Sequence, residues 1–136
     1  MILVDSCVWI DLLKKRKNSH TQFLQNLAHK LVEEVCISHV IYFEVLRGIT
    51  SDLERRKLAR SFEQMAILDF KNEGFDPWIA VYRKCARSGV NLPRLGDWMI
   101  AKTAVDHDLE LLTSDQDFSA IAMHVSSHAP LRLVSV

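Results

Sequence analysis

The sequence predicts an α/β fold, a three-layer α/β/α sandwich whose central sheet is mostly parallel and has four to five strands. Short apolar runs alternate along the chain with longer segments in which apolar residues recur at helical spacing. Strands separated by helices pair in parallel through right-handed crossovers, with helices covering both faces of the sheet. With 136 residues, 49% of them hydrophobic, the chain is expected to form a single domain over residues 1–136.

The N-terminal elements begin with the wholly apolar run 1–4, which is typical of a strand buried on both faces. After Asp5 the apolar residues take helical spacing as far as the basic cluster 14–17. Residues 21–31 carry apolar side chains on one side and predict a second helix, which is amphipathic.

The middle of the chain opens with residues 35–38, which predict the second strand. Ser38 can cap a following helix that ends at Gly48. Ser51 begins a capping box that opens a strongly basic helix, and residues 65–68 predict the third strand.

The last third contains two helix starts. An Asp-Pro pair at residues 76–77 opens one helix, which Gly89 ends, and a Gly-Asp pair at residues 96–97 opens the other. Residues 109–113 and 131–134 predict the fourth and fifth strands.

Composition excludes several classes of protein. Three cysteines without a CxxC pair argue against a disulfide framework or a cysteine zinc site and favour a reducing, cytoplasmic setting. The N-terminus has no basic lead, so no signal peptide is expected, and no uncharged apolar run is long enough for a membrane span. Seventeen basic and 17 acidic residues give no net charge, which by itself argues against binding nucleic acid through bulk charge.

Three aspartates follow strands or open helices. Asp5 comes directly after the first strand, Asp115 follows the fourth, and Asp97 lies at a helix start. Each of them, taken alone, is adequately explained as a helix cap or a turn residue.

Glu44 is less easily explained, because it lies in the helical run 40–46, which has no other charge. Burying an uncompensated carboxylate costs on the order of several kcal/mol. A nearby arginine, Arg47 or Arg94, could compensate it, and so could a bound cation.

The predicted sheet brings these four acids together. Ligands of parallel sheets bind beyond the carboxyl ends of the strands, and all four acids are expected at that edge. Clustered carboxylates repel one another, so the cluster implies a cation. Oxygen ligands alone favour a hard ion, Mg²⁺ or Mn²⁺, over zinc.

Four segments, in order and at the usual length, make the chain resemble the PIN-domain ribonucleases, and among them the VapC-type toxins of bacterial toxin–antitoxin pairs. The segments are residues 4–11, 37–48, 97–104 and 112–118. The resemblance implies a PIN-like sandwich and an endoribonuclease that cleaves RNA by metal-assisted phosphodiester hydrolysis. It also implies a cognate antitoxin that neutralises the toxin, and a homodimer.

The resemblance also implies roles for particular residues. The four acids that match the Mg²⁺ or Mn²⁺ ligands of the family, and so its catalytic residues, are Asp5, Glu44, Asp97 and Asp115. The residues that match its supporting positions, rather than direct ligands, are Ser6, Thr113 and Asp117.

This sequence departs from the family pattern at two positions. Cys7 stands where Ser or Asn is common, so a contact from that side chain is in question. Lys102 replaces a residue that is frequently small, and we expect it to point to solvent. Trp9 and Phe43 are candidates for a groove near the early helices in which the family holds its antitoxin segment.

RNA binding needs phosphate contacts, and three arginines adjacent in sequence to the acidic motifs are candidates: Arg47, Arg87 and Arg94. Outside the four acids the chain has an excess of four basic residues, so the zero net charge does not argue against RNA. His124 and His128 are four apart, but Pro130 follows closely and we expect two surface residues rather than a zinc pair.

Several other functions fit parts of the pattern. A PIN nuclease of RNA processing or decay would need no antitoxin, and a non-catalytic binding domain on the same fold would lack one or more acids. The aspartate-dependent phosphotransferases need a second aspartate two residues after the first, where this chain has Cys7. A phosphorylation receiver is disfavoured because no acidic pair follows the first strand.

Overall fold

The centre of the fold is one parallel sheet of five strands. The computed structural model describes residues 1–89 and 91–136. The strands are β1 (Ile2–Val4), β2 (Val35–Ile37), β3 (Ala66–Ile67), β4 (Glu110–Leu112) and β5 (Arg132–Leu133). Their spatial order is β3-β2-β1-β4-β5, and all four neighbouring pairs are parallel. The α/β fold with a parallel sheet is therefore confirmed.

In the described residues, seven helices connect and cover the strands. They are α1 (Ser6–Leu13), α2 (Ser19–Lys30), α3 (His39–Leu46), α4 (Asp52–Glu63), α5 (Phe75–Arg87), α6 (Leu95–Asp106) and α7 (Asp117–His124), with a 3₁₀ turn at Val32–Glu34. Helix α1 packs on α2 and α3, α3 also contacts α4 and α6, and α5 and α6 pack on α7. These helices form the two outer layers of the predicted sandwich.

Helix α7 and the 3₁₀ turn were not among the predicted elements. Helix α7 has only eight residues, and its N-cap residue, Gln116, makes no side-chain hydrogen bond to the first turn. The sequence therefore carries no start signal there. The helix is held by tertiary packing, because Phe118 and Ile121 are fully buried.

The strands are apolar because both of their faces are covered. Leu3, Val4, Leu111 and Leu112, on the two central strands, have no exposed surface. Burying an aliphatic side chain of this size contributes about 1.5–3 kcal/mol relative to leaving it in water. The pair β1–β4 is thus the most firmly held part of the sheet and a rigid base for whatever follows it in the chain.

The chain changes direction across the sheet at β1. From β1 it proceeds outward to β2 and β3, then crosses to the other side for β4 and β5. In parallel sheets such a switch point leaves a crevice at the carboxyl ends of the strands, where ligands bind. Here the crevice lies beyond Val4 and Leu112, and the Asp5 N–H donates to the Leu112 carbonyl at 3.0 Å.

The expectation that Lys102 points to solvent is wrong. Its side chain is 1% exposed, and Nζ donates to the carbonyl oxygens of Lys71 at 3.0 Å and Glu73 at 2.7 Å. It also pairs with Asp106 at 2.6 Å and lies over the Phe75 ring. The reason is that α6 is buried on most sides and the β3–α5 connection folds over Lys102, so no solvent is available to its side chain.

Two further observations concern the chain as a whole. No helix in the described part of the chain is long and apolar enough to cross a membrane. Cys7, Cys36 and Cys85 are all free thiols, in agreement with the expectation that the chain has no disulfide framework.

Candidate metal centre

Five carboxylates surround a cavity at the carboxyl edge of the sheet. The cavity has a volume of about 290 Å³ and is lined by Asp5, Ser6, Cys7, Glu44, Arg47, Arg94, Asp97, Asp115 and Asp117. The four acids that the sequence predicted at one edge of the sheet are thus brought together, with Asp117 beside them.

Asp5 is at once a helix cap and part of this cavity. It is the N-cap residue of α1, and its Oδ1 accepts a hydrogen bond from the Ser6 N–H at 2.8 Å. Its Oδ2 accepts from the Thr113 hydroxyl at 2.8 Å and from the Cys7 thiol at 3.1 Å. Cys7 therefore does contact the site, and Thr113 supports Asp5 from the end of β4.

Glu44 reaches the cavity from α3. The Ser6 hydroxyl donates to its Oε2 at 2.6 Å, so one serine joins Glu44 to the start of α1. Within the described residues neither Arg47 nor Arg94 lies within ion-pair distance of this carboxylate, although both line the cavity. The arginine explanation of Glu44 is therefore not supported.

Asp97 and Asp115 also stabilise the local backbone. Asp97 is in the first turn of α6, and its Oδ2 accepts from the Arg94 N–H at 3.0 Å. Asp115 follows β4, and its Oδ1 accepts from the Asp117 N–H at 2.9 Å. The cap and turn explanations of these residues are correct, and the same side chains face the cavity.

Three of the acids lie close enough together to share one ion. Carboxylate oxygens of Asp97, Asp115 and Asp117 all lie within 4.8 Å of one another. The sequence placed Asp117 in a supporting position. In the structure its carboxylate lies within the same 4.8 Å limit of Asp97 and Asp115, so it is a candidate for direct metal binding. Asp5 is almost fully buried, and the Ser6 hydroxyl lies within hydrogen-bond distance of both Asp5 and Glu44.

The cavity is electrostatically negative, because none of its five carboxylates forms an ion pair within the described residues. The pKa of Asp97 is raised from 3.8 to about 6, mainly by burial; the hydrogen bond from the Arg94 backbone N–H opposes this rise, and the charges of Asp5, Asp115 and Glu44 add to it. Burial is also the main cause of the raised pKa of Asp5. Such a cluster favours a bound cation, which would stabilise all of the ionised forms together.

The donor set fits a hard divalent ion. All five acids offer carboxylate oxygens, which are the ligands that Mg²⁺ and Mn²⁺ prefer. The Cys7 thiol is the one softer group at the cavity among the described residues, and burial raises its pKa to about 11, so it stays protonated and donates to Asp5. Asp5, Glu44, Asp97, Asp115 and Asp117 are therefore the residues that could hold the ion.

Two other sequence predictions have different outcomes. Arg87 lies at the end of α5, beside Arg83 and Lys84, and does not line the acidic cavity. Helix α7 ends at His124, so it does not bring His128 onto a shared helical face, as expected.

The sequence profile of the PIN domain matches residues 2–123, which is most of the chain. The chain belongs to the PIN domain family. The predicted resemblance is thereby confirmed, and the acidic cavity at the carboxyl edge of this PIN domain is formed by the motifs on which the resemblance depended.

Individual relatives of this PIN domain agree. The chain is 24% identical to the Ribonuclease VapC11 of Mycobacterium tuberculosis over 123 residues, covering 90% of this chain and 92% of that protein. Its fold matches the structure of VapBC-1 from nontypeable Haemophilus influenzae with a TM-score of 0.72, at 18% identity, covering 98% and 97% of the two chains. It matches VapBC2 from Rickettsia felis, bound to a DNA fragment from the promoter, with a TM-score of 0.70 at 19% identity and 98% coverage of both.

Proposed function

We propose that this chain, as a single PIN domain over residues 1–136, is an endoribonuclease toxin that depends on Mg²⁺ or Mn²⁺ and is neutralised by a cognate antitoxin. One observation carries the proposal: five carboxylates meet at the switch point of the sheet, and none of them forms an ion pair within the described residues. The relative named as a ribonuclease supports the reaction class.

The protein's own contribution to hydrolysis would be to hold the metal ion and to orient the carboxylates around it. Asp97, Asp115 and Asp117 would ligate the ion. Asp5 and Glu44, which line the same cavity, would add negative charge that balances the positive charge of the ion. When bound, Mg²⁺ activates water for attack on phosphorus and stabilises the charge that develops on the phosphate. Hydrogen bonds from Ser6 to Glu44 and from Thr113 to Asp5 fix the direction of these two carboxylates.

RNA would approach along the two arginines at the cavity. Arg47 and Arg94 are exposed and lie beside the acids, so each can contact a phosphate next to the scissile bond. Arg87, Arg83 and Lys84 form a separate basic surface on α5, where a longer RNA would continue.

The antitoxin is assigned to an apolar groove beside α1. The groove is lined by Ile10, Leu13, Lys14, Val45, Gly48, Ile49, Thr50, Ser51 and Glu54. Leu13 is 45% exposed there, although it is a large apolar residue. Phe43 is exposed on α3, whereas Trp9 is buried against Phe62, so only Phe43 is free to contact a partner near these helices. A solved structure of similar fold from Klebsiella pneumoniae is a toxin–antitoxin complex, which supports such a partner.

A homodimer in the cytoplasm completes the proposal. The face between α5 and α6 carries an apolar cavity with Ile79, Tyr82 and Leu95 exposed at its edge, and we assign the second copy to it. Light scattering of the purified protein should give twice the monomer mass, and replacing Leu95 by Glu should give the monomer.

A cleavage assay tests the enzymatic part of the proposal. Purified protein with total RNA should give discrete cuts in the presence of Mn²⁺ or Mg²⁺, and EDTA should stop the reaction. Cleavage that continues at the same rate in EDTA would contradict the metal mechanism. Cleavage by Asp97→Asn at the wild-type rate would contradict the site.

The antitoxin is tested separately. A short neighbouring reading frame for a DNA-binding protein, whose product co-purifies with this chain and blocks cleavage, would support the toxin assignment. Active enzyme without such a neighbour would favour the alternative, a PIN nuclease of RNA processing or decay. Metal and RNA binding without any cleavage would favour a non-catalytic binding domain.

A further inference from the structure

Gly96, in the first turn of α6, has the Glu44 carboxylate in the place where a side chain would begin. A Cβ added to Gly96 would overlap Oε1 of Glu44, far inside contact distance. The other oxygen of that carboxylate, Oε2, accepts the hydrogen bond from the Ser6 hydroxyl at 2.6 Å. The carboxylate is therefore held between the start of α1 and the bare backbone of α6.

The backbone conformation gives no reason for glycine at this position. Among the glycines, all of which lie in the described residues, only Gly74 and Gly89 have positive φ angles, so Gly96 has a φ that any residue adopts. Glycine in a helix is less favourable than alanine. The gain that offsets this cost must come from the space that the absent side chain leaves.

That space is used by Glu44. The next nearest atoms to the added Cβ are the Glu44 Cδ and a methyl carbon of Val40, both at 3.6 Å, which is ordinary van der Waals contact. An alanine would therefore fit against α3 if the Glu44 carboxylate moved aside. Because that carboxylate is the end of a flexible side chain, the fold can accommodate an alanine at position 96. The Glu44 carboxylate, however, must leave its present position.

We infer that Gly96 is a positioning residue for the metal centre: its missing side chain admits the Glu44 carboxylate to the first turn of α6, next to Asp97. The inference rests on the proposed metal-dependent function. The location is favourable for a carboxylate, because the N-terminal turn of a helix carries unpaired N–H groups and positive potential. Glu44 thereby reaches the cavity without an arginine partner.

The test combines two substitutions. We expect Gly96→Ala to weaken Mn²⁺ binding, measured by calorimetry, by about 10- to 100-fold, as for other supports of metal ligands. In metal-free buffer its Tm should equal or exceed the wild-type value because alanine favours the helix. Gly48→Ala is the matched control, since a Cβ there meets only the Val45 carbonyl at 3.6 Å, and its Mn²⁺ affinity should not change.

The shorter side chain in Glu44→Asp tests whether Gly96→Ala lowers Mn²⁺ affinity through Glu44. Asp reaches less far toward α6, so adding Gly96→Ala to Glu44→Asp should change Mn²⁺ affinity by less than about 3-fold. An equal loss on both backgrounds would overturn the inference, since Gly96 would then act through α6 itself. Wild-type affinity in Gly96→Ala would also overturn it.

Two further outcomes are separable. If Glu44→Gln binds Mn²⁺ and cleaves RNA as the wild type does, the proposed role of Glu44 in the function fails, whatever Gly96 does. If Gly96→Ala does not fold, removing the overlap in Glu44→Ala/Gly96→Ala should restore folding, and failure to restore it would overturn the inference.

Discussion

The Ser6 hydroxyl lies 2.6 Å from Oε2 of Glu44 and so ties the first turn of α1 to the second turn of α3. The same hydroxyl is 3.4 Å from Oδ1 of Asp5. A single buried serine thus orients the carboxylates of both Asp5 and Glu44.

Ser6→Ala should weaken the site without unfolding the protein. Its backbone N–H still donates to Asp5, but Glu44 loses its hydrogen-bond donor and becomes free to rotate. We expect Mn²⁺ affinity, measured by calorimetry, to fall by about 10-fold or more. Ser119→Ala, at an exposed position on α7, is the control and should bind as the wild type does. Equal affinities for the two variants would contradict the role of Ser6.

Asp97→Asn should remove cleavage and, at neutral pH, stabilise the metal-free protein. Folding raises the pKa of Asp97 to about 6, so the folded state disfavours the ionised form. The free energy of unfolding therefore rises as pH falls through about 6 and is lowest above it. Removing the charge should add about 1–2 kcal/mol at pH 7, allowing for solvent screening of this half-buried group.

Urea denaturation in EDTA measures this gain. Asp76→Asn, at an exposed position in the first turn of α5, is the control and should show no gain, because it removes a charge that favours the helix start. A loss of stability in Asp97→Asn at pH 7 would contradict the proposed repulsion.

Metal binding should weaken in acid. A proton on Asp97 competes with the ion, so the Mn²⁺ affinity should be nearly constant above pH 7 and fall about tenfold per pH unit below a pH of about 6. Calorimetry between pH 5 and 8 gives the profile. Affinity that does not change between pH 5 and 7 would show that Asp97 is not a ligand.

Asp117→Asn should impair metal binding as strongly as Asp115→Asn. Carboxylate oxygens of both residues lie within 4.8 Å of Asp97 and of each other. Each substitution should weaken Mn²⁺ binding at least tenfold, whereas Asp52→Asn, in the exposed first turn of α4, should have no effect. If Asp117→Asn binds as tightly as the wild type, Asp117 has only the supporting role that the sequence predicted.

Lys102→Met should destabilise the fold at nearly constant side-chain volume. The change leaves the carbonyls of Lys71 and Glu73, and the carboxylate of Asp106, without the donor that satisfies them. Breaking a buried pair of this kind costs about 3–5 kcal/mol, which urea denaturation resolves. Lys84→Met, at an exposed position on α5, should cost less than about 0.5 kcal/mol. Equal stability of both variants would mean that solvent replaces these contacts.

The positions of the acids could be predicted because they follow from strand order. Asp5 comes directly after β1 and Asp115 shortly after β4, and parallel strands bring the residues that follow them to one edge of the sheet. The cap roles of Asp5 and Asp97 could be predicted equally well, because caps are local in sequence. The cap explanation and a place in the cavity were not alternatives, since the same carboxylates accept the cap hydrogen bonds and line the cavity.

Other features depend on contacts between distant segments. Lys102 is a polar residue at a helical position, and only the folding of the β3–α5 connection across α6 makes it buried. The close approach of Gly96 to Glu44 joins α6 to α3, and no local pattern indicates it. The Cys7 contact with Asp5 depends on how α1 leaves β1, which spacing does not specify.

The double role of these carboxylates also constrains how this chain could lose the proposed toxicity under selection. Asp5 caps α1, and Asp97 accepts a backbone N–H at the start of α6. Alanine at either position would remove a cap, at about 0.5–2 kcal/mol, together with the charge. Asparagine keeps an oxygen for the cap and removes only the charge. Surviving inactive alleles should therefore carry Asp→Asn exchanges at these codons, each a single-base change, more often than replacements that also remove the cap.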